Sequence, residues 1–454
     1  MKAYDVVIIG AGPSGIITGV TAKKQNPDKS FLMIKEDEQG LVPCGIPYVF
    51  HDLDDISQNK MGPAPFVKAG GEVLVDRVTD IDISNKTLCT EAGTEISFSK
   101  LVFATGSSPI LPTFIKGYHL ENVELIPKNY NYIASLKDKI LSSTNVVVIG
   151  GGFIGAEVAE QIAKHDFKKV TLVEIQDHCL GQAFSPDFAI LADENLRKIG
   201  INVLTGNTVE ELIGNNGKVQ SVKLKSGEII EADLVISAIG YKPNTDLAKK
   251  AEMQLTKHGT IRVDKFMQTD EDDVYAVGDC SQTFGFITGR TDNIMLASTA
   301  TAEARILGYN LCKIGILRSF SGTLSVFSTE LNGHAFASAG AIEQTAEAAR
   351  VDYVTGSFTD MDRHPGSLPG AKKIRVRIIV SPRNGEIIGG EIYGGKSVGE
   401  MINIIALAIQ KYVTVYELVS FQVGTHPLLT TAPTKYALIK ACEDAISKID
   451  CREK

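Results

Sequence analysis

The stretch GLVPCGIPYVF, Gly40 to Phe50, sets one cysteine, Cys44, among two glycines and two prolines. A thiol there is either a small buried residue at a tight turn or the nucleophile of a redox reaction, which must act as thiolate. The fifth residue after it is Val49, so no neighbouring cysteine can form a local disulfide with it. The chain has seven cysteines, Cys44, Cys89, Cys179, Cys280, Cys312, Cys442 and Cys451, scattered and without CxxC spacing. That pattern suits a reducing compartment and gives no zinc site.

A second chemistry is carried by glycines. YDVVIIGAGPSGIITG runs from a continuous aliphatic segment, Val6 to Ile9, into Gly10-x-Gly12-x-x-Gly15 and then a helix-like segment. The three glycines serve a tight turn, close backbone approach to a pyrophosphate, and close helix–strand packing, with the anion at the helix N-terminus. NVVVIGGGFIGAEVAEQIAKHDFKKVTLVEIQ repeats the unit with Gly150, Gly152 and Gly155. Its second strand ends on Glu174, an acid that suits the two ribose hydroxyls of NADH and repels the extra phosphate of NADPH. In the first unit that position falls on Lys35, with Glu36 beside it; Glu36 is either the ribose ligand after a one-residue shift or a solvated side chain. Two dinucleotide sites are expected.

The elements that position these residues occupy 454 residues, too many for one core. Apolar content of 44% and charged content of 22% are those of an ordinary globular protein, and a net charge of −8 argues against a general nucleic-acid binder. No apolar run reaches the length of a membrane span; MINIIALAIQ, Met401 to Gln410, predicts a buried helix. Asp5 interrupts the N-terminal apolar run and no cleavage site follows, so a mature cytoplasmic N-terminus is expected. Between the units lie short alternating strands and the apolar strand before Ala104-Thr105-Gly106; a comparable element, ADLVISAIGYKPNTDL, closes the second unit, and VYAVGDC brings another strand to Gly278-Asp279. From about Ser321 alternating strands followed by two helices predict an α+β domain.

The order GAGPSG, CGIPY, ATGSSP, GGGFIGAE, AIGYKPNT and VYAVGDC, closed by an α+β domain, resembles the flavin-dependent pyridine nucleotide–disulfide oxidoreductases over nearly the whole chain. The resemblance implies an α/β fold with two Rossmann-like dinucleotide-binding domains, for FAD (1–114 and 245–320) and NAD(P)H (115–244), and a C-terminal α+β domain (321–454) forming a homodimer. By the same resemblance FAD is held by Gly10, Gly12, Pro13, Ser14, Gly15, Glu36, Ala104, Thr105, Gly106, Gly278, Asp279 and Ala297, with Cys44 beside the flavin. NADH, or NADPH as the alternative, is held by Gly150, Gly152, Phe153, Ile154, Gly155, Glu157, Glu174 and Gly240. Asp279 would bond the ribityl chain and Glu157 would lie beside the nicotinamide.

Val49 excludes the branch with a local dithiol, and VPCGIPY looks like the single-cysteine branch of coenzyme A-disulfide reductases, NADH oxidases and peroxidases, and sulfur reductases. Oxidases and peroxidases of that branch carry a histidine in the first glycine loop where this chain has Pro13, which can neither relay protons nor bond a sulfenate. The expected reaction passes a hydride from NADH through FAD to Cys44, which reduces a disulfide, polysulfide or persulfide, coenzyme A disulfide first among them. The alternatives are reduction of oxygen or peroxide, and electron delivery to a small redox protein such as rubredoxin with Cys44 a bystander. His426, in GTHPLLTTAP, resembles the proton-donating His-Pro of dithiol relatives, although the acid that orients it there falls on Thr431. Tyr48 is a second donor candidate, otherwise a packed ring. Lys373, Arg375 and Arg377 alternate onto one strand face, either a site for coenzyme A phosphates or a solvated face. No metal site is expected.

Overall fold

The computed structural model describes every residue except Asn293, Leu317, Glu453 and Lys454. The aliphatic run Val6–Ile9 forms the end of a central strand, β1 (Lys2–Ile9), flanked on both sides by parallel neighbours, and Val6, Val7 and Ile8 are fully buried. Burial on both faces is what a continuous apolar strand requires. After α1 (Pro13–Gln25), the sheet adds β2 (Phe31–Lys35), β3 (Glu72–Val75), an antiparallel pair β4 (Val78–Asp82) and β5 (Thr87–Thr90), and β6 (Glu95–Phe103). Its order is β3-β2-β1-β6-β5-β4, with Val274–Ala276 returning much later in the chain to pair with β6.

A second, parallel sheet repeats the plan. It holds β7 (Val123–Glu124), β8 (Asn145–Ile149), β9 (Lys169–Val173), β10 (Asn202–Leu204) and β11 (Leu234–Ser237) in the order β7-β11-β8-β9-β10. Helices α2 (Tyr130–Ser142), α3 (Phe153–Ala163) and α4 (Pro186–Lys198) belong to this unit, and α5 (Ala297–Asn310) returns to pack on α1.

The C-terminal region is an antiparallel sheet in the order β12-β13-β16-β15-β14: β12 (Phe327–Leu331), β13 (His334–Gly340), β14 (Val354–Met361), β15 (Lys373–Val380) and β16 (Ile387–Gly394). It is covered by α6 (Val398–Gln410), the apolar helix expected there, and α7 (Ala437–Arg452). A side chain at Gly356 would strike the Ala441 carbonyl at 2.0 Å, so glycine lets α7 lie close on β14.

Three regions meet around α3. Ile46, Val49 and Phe50, just after Cys44, share one apolar cluster with Val158 and Ile162 of α3 and with Leu331 and Phe336 of the C-terminal sheet. Polar contacts follow the same path: Gln161 and Lys164 bond Asp52 on one side, and Glu160 accepts from the Asn332 N–H at 2.7 Å on the other. Among the described residues no helix is long and apolar enough to cross a membrane.

Candidate active site

The glycines create the nucleotide sites by removing bulk. A side chain at Gly10 would fall 2.1 Å from the Ala104 carbonyl, and one at Gly150 would fall 2.6 Å from that of Ala238, so both loops pass hard against the next strand's end. Gly15 and Gly155 let α1 and α3 close on Gly10 and Gly150 in the same way. Gly12 and Gly152 differ: a side chain there would meet nothing within 4 Å. Each is the N-cap of its helix and neither carries a side-chain cap, leaving open N–H groups for an anion. Pro13 and Phe153 are the first helical residues, followed by Ser14 and Ile154. The cradles fit two dinucleotides.

In the second unit Glu174 lies at the end of β9, 8% exposed, and folds back on the glycine loop. One carboxylate oxygen accepts from the Gly151 N–H and the other from Gln176 N–H at 2.7 Å. Glu36, at the corresponding end of β2, behaves differently: it is exposed, 3.8 Å from Arg77. Gly240, at φ +122°, presents its carbonyl to Ile110 N–H at 2.9 Å.

Cys44 sits on a single 3-10 turn, Pro43–Gly45. Asn59 holds that turn through two bonds with Val42: its carbonyl accepts from the Val42 N–H at 2.9 Å and its Nδ2 donates to the Val42 carbonyl at 3.1 Å, and a side chain at Gly45 would collide with Asn59 Oδ1. Cys44 reaches solvent, whereas Val49 is fully buried. The protein around the sulfur nevertheless pushes its pKa up; desolvation leads, the Glu157 carboxylate adds to it, and Lys128 opposes it. Tyr48, in the following turn Pro47–Phe50, is half-buried and its phenol is pushed upward by burial and then by Glu157.

Glu157 projects from α3 and accepts from Thr329 Oγ1 of β12 at 2.7 Å. Burial pushes its carboxyl up to about 7. Asp279 lies on the short turn Gly278–Cys280; its Oδ2 accepts from Ser107 Oγ at 2.6 Å and from Lys128 Nζ at 2.9 Å. Lys128 also lies 5.3 Å from the Tyr241 ring centre. Thr105 Oγ1 donates to the Asn244 carbonyl at 2.6 Å, and Asn244 Nδ2 returns a bond to Thr105 O at 3.0 Å, so the segment at Gly106 is stitched to the strand leaving the second unit. Ala297 opens α5.

Lys128, Thr329 and Asn244 were missed from sequence. Asn244 stood inside a quoted motif, but nothing local marks Lys128, whose partner Asp279 is 151 positions away.

His426 lies on an exposed loop and its own bonds are local: Leu428 N–H approaches Nδ1 at 3.3 Å and His426 N–H donates to Thr430 Oγ1 at 3.1 Å. Its loop is braced by His364, which bonds the carbonyls of Pro427 and Thr430. Thr431, at the orienting-acid position, is 2% exposed. The basic strand face needs correction on both readings. Arg375 and Arg377 share the face with Lys373, but both pair with Asp187 at the start of α4, and Arg377 also pairs with Glu343, with Glu391 at 3.7 Å. Arg377 is 9% exposed, so its guanidinium is neither solvated nor free for phosphates, whereas Arg375 is half-buried and paired and Lys373 alone is exposed. No cluster of metal-ligating side chains occurs among the described residues.

Residues 4–304 match the pyridine nucleotide-disulphide oxidoreductase family, and residues 331–437 match its dimerisation domain. The chain is a pyridine nucleotide-disulphide oxidoreductase. It is 30% identical to an NADH oxidase of Methanocaldococcus jannaschii over 98% of this chain and 99% of that one. It is 29% identical to an NAD(P)H coenzyme A polysulfide/persulfide reductase of Pyrococcus horikoshii, over 90% of this chain and 92% of that one. A solved NAD-dependent persulfide reductase from A. fulgidus superposes with a TM-score of 0.90 at 29% identity, covering 98% of this chain and 84% of that chain. This oxidoreductase is thus an FAD-dependent enzyme of NAD(P)H with two Rossmann-like units and a dimerisation domain.

Proposed function

We propose that this oxidoreductase uses NADH to reduce a disulfide, polysulfide or persulfide at Cys44, with coenzyme A disulfide the first candidate and coenzyme A itself a ligand. FAD belongs to residues 1–114 and 245–320, NAD(P)H to 115–244, and 321–454 pairs two chains into a homodimer. The supporting observation is the solitary thiol: Cys44 reaches solvent on a rigid turn, while the position of a second redox cysteine is the core residue Val49. Relatives named for polysulfide and persulfide reduction agree with it.

Bound FAD would take a hydride from NADH and deliver an electron pair to sulfur. Cys44 Sγ, as thiolate, attacks one sulfur of RS–SR; the Cys44–S–S–R bond forms, the RS–SR bond breaks, and RS⁻ leaves to take a proton. Two electrons then cleave Cys44–S–S–R, restoring the thiolate and releasing a second RS⁻. Lys128 favours the thiolate and Glu157 opposes it. His426, brought from the second chain of the dimer, or Tyr48 supplies the proton. Replacing Cys44 with serine should abolish disulfide and polysulfide reduction while NADH still bleaches the bound flavin. If the serine variant turns over these substrates at the wild-type rate, Cys44 is a bystander.

A second reading, reduction of oxygen or peroxide, is favoured by the oxidase named among the relatives. Pro13 counts against it, since the first residue of α1 offers neither a donor nor an acceptor to an oxidised sulfur. Mass spectrometry of Cys44 separates the readings: added sulfur or coenzyme A supports the first, added oxygen the second.

A further inference from the structure

Glu303 is an acid the reaction above does not use. It lies midway along α5, is 1% exposed, and faces the flavin-side turn that carries Asp279. Its Oε2 accepts from the Gly278 N–H at 3.0 Å, and its Oε1 has no partner. Thr283 Oγ1, five residues past Gly278, is also buried without a partner, and its hydroxyl is among the groups that act on the Glu303 carboxyl. An ionised carboxylate buried on one N–H donor would be poorly solvated, whereas a neutral acid keeps an acceptor oxygen for Gly278 without a buried charge. Burial favours the neutral acid and outweighs the Gly278 N–H and the Thr283 and Ser281 hydroxyls, which act the other way.

The turn has little freedom without this prop. Gly278 has φ +77°, and a side chain there would come 2.7 Å from Ser14 Oγ, so the turn is pressed between the first glycine loop and α5. We propose that Glu303 is a positioning residue of the flavin site, a neutral carboxylic acid that holds the Gly278–Cys280 turn, and with it Asp279, in the geometry that retains FAD. The proposal rests on FAD lying at the Gly278–Asp279 turn.

Few charged or titratable groups face Glu303. The turn presents Asp279, itself paired with Lys128, and Cys280; α1 brings Ser14 to the turn, and the segment after the turn presents Ser281 and Thr283. Burial pushes the Glu303 carboxyl up to about 8, and Asp279 adds to the rise. Ionisation above that pH puts an uncompensated charge behind the turn.

The test is FAD release from the intact holoenzyme, followed by flavin fluorescence from pH 6 to pH 9.5, for wild type, Glu303→Gln, Glu303→Ala and Asp279→Ala. Wild type should hold FAD tightly up to about pH 8 and then weaken by up to about tenfold per pH unit, as loss of one proton requires. Glu303→Gln should keep the low-pH affinity and flatten the profile, and Glu303→Ala should release FAD faster at every pH. A wild-type alkaline loss that persists unchanged in Glu303→Gln overturns the proposal, as does wild-type affinity in Glu303→Ala. Unchanged affinity in Asp279→Ala instead shows that FAD does not depend on this turn, a separate failure.

Discussion

Glu157 of the second nucleotide unit and Thr329 of the C-terminal sheet are joined by a hydrogen bond of 2.7 Å, side chain to side chain across 172 positions of sequence. The bond ties the helix that begins at the second glycine loop to the first strand of the dimerisation domain. It also leaves Glu157 with a hydroxyl as its partner, where burial can keep the acid neutral.

The pH dependence of stability follows from that neutrality. The Glu157 carboxyl titrates near 7 in the fold and near its ordinary value of 4.5 when unfolded. Its favourable contribution is therefore complete below about 4.5 and is lost as pH rises towards 7, because the unfolded chain binds fewer protons there. Glu157→Gln should remove up to about 1.4 kcal/mol of that loss per pH unit, read as a flatter thermal midpoint between pH 5 and pH 7. Superimposable curves for the two proteins would show that Glu157 is charged in the fold.

Cys44 should respond in opposite senses to its two charged neighbours. Glu157→Gln removes a group that raises its pKa, and Lys128→Met removes one that lowers it. Iodoacetamide alkylation of the oxidised, flavin-loaded enzyme should become half-maximal at lower pH in the first variant and at higher pH in the second. The two midpoints should therefore move apart, to either side of the wild-type value. A shift in the same direction for both variants would contradict the electrostatic account.

Glu174 should set the choice of nicotinamide. Its carboxylate folds back on the second glycine loop, tied to the N–H groups of Gly151 and Gln176. Glu174→Ala should lower the ratio of kcat/KM for NADH over NADPH by about tenfold or more. A wild-type enzyme with equal kcat/KM for both cofactors would remove the basis for this role.

Arg377 should be worth more to stability than a surface charge. It is largely buried and paired with Asp187 and Glu343, while Glu391, fully buried, accepts from both the N–H and the hydroxyl of Ser185. Arg377→Ala should cost about 1 to 2 kcal/mol, since it leaves buried Glu391 without its neighbouring cation and part-exposed Asp187 and Glu343 without their partner, and would appear as a lower thermal midpoint. Loss of less than about 0.5 kcal/mol would place this network with ordinary surface pairs.

Local patterns were readable in sequence and long-range partners were not. The runs before Gly10 and Gly150 specify buried parallel strands because every residue in them must face apolar neighbours, and the glycine spacing specifies the turns. The alternation of Lys373, Arg375 and Arg377 gave their shared face correctly. Their partners could not be read, because Asp187 comes from another unit and is brought there only by folding. Lys128 was invisible for the same reason: a lysine after Pro127 has no local signature, and it acquires a role from Ser107 and Asp279. Gly278 and Asp279 were legible as a strand-ending pair, whereas Glu303, on a helix of unremarkable pattern, was not.

The arginines on β15 also fasten the second glycine unit to the C-terminal sheet. They grip the first turn of α4, while Ser185, at its N-cap, is held by Glu391 of β16. One end of the second nucleotide unit is thereby clasped by the C-terminal sheet, and α3 is bound both to that sheet and to the segment after Cys44. The C-terminal sheet thus becomes the fixture on which the second glycine unit is mounted. A substitution on the outer sheet can then shift α3 and α4 together while every residue of the glycine loops stays the same.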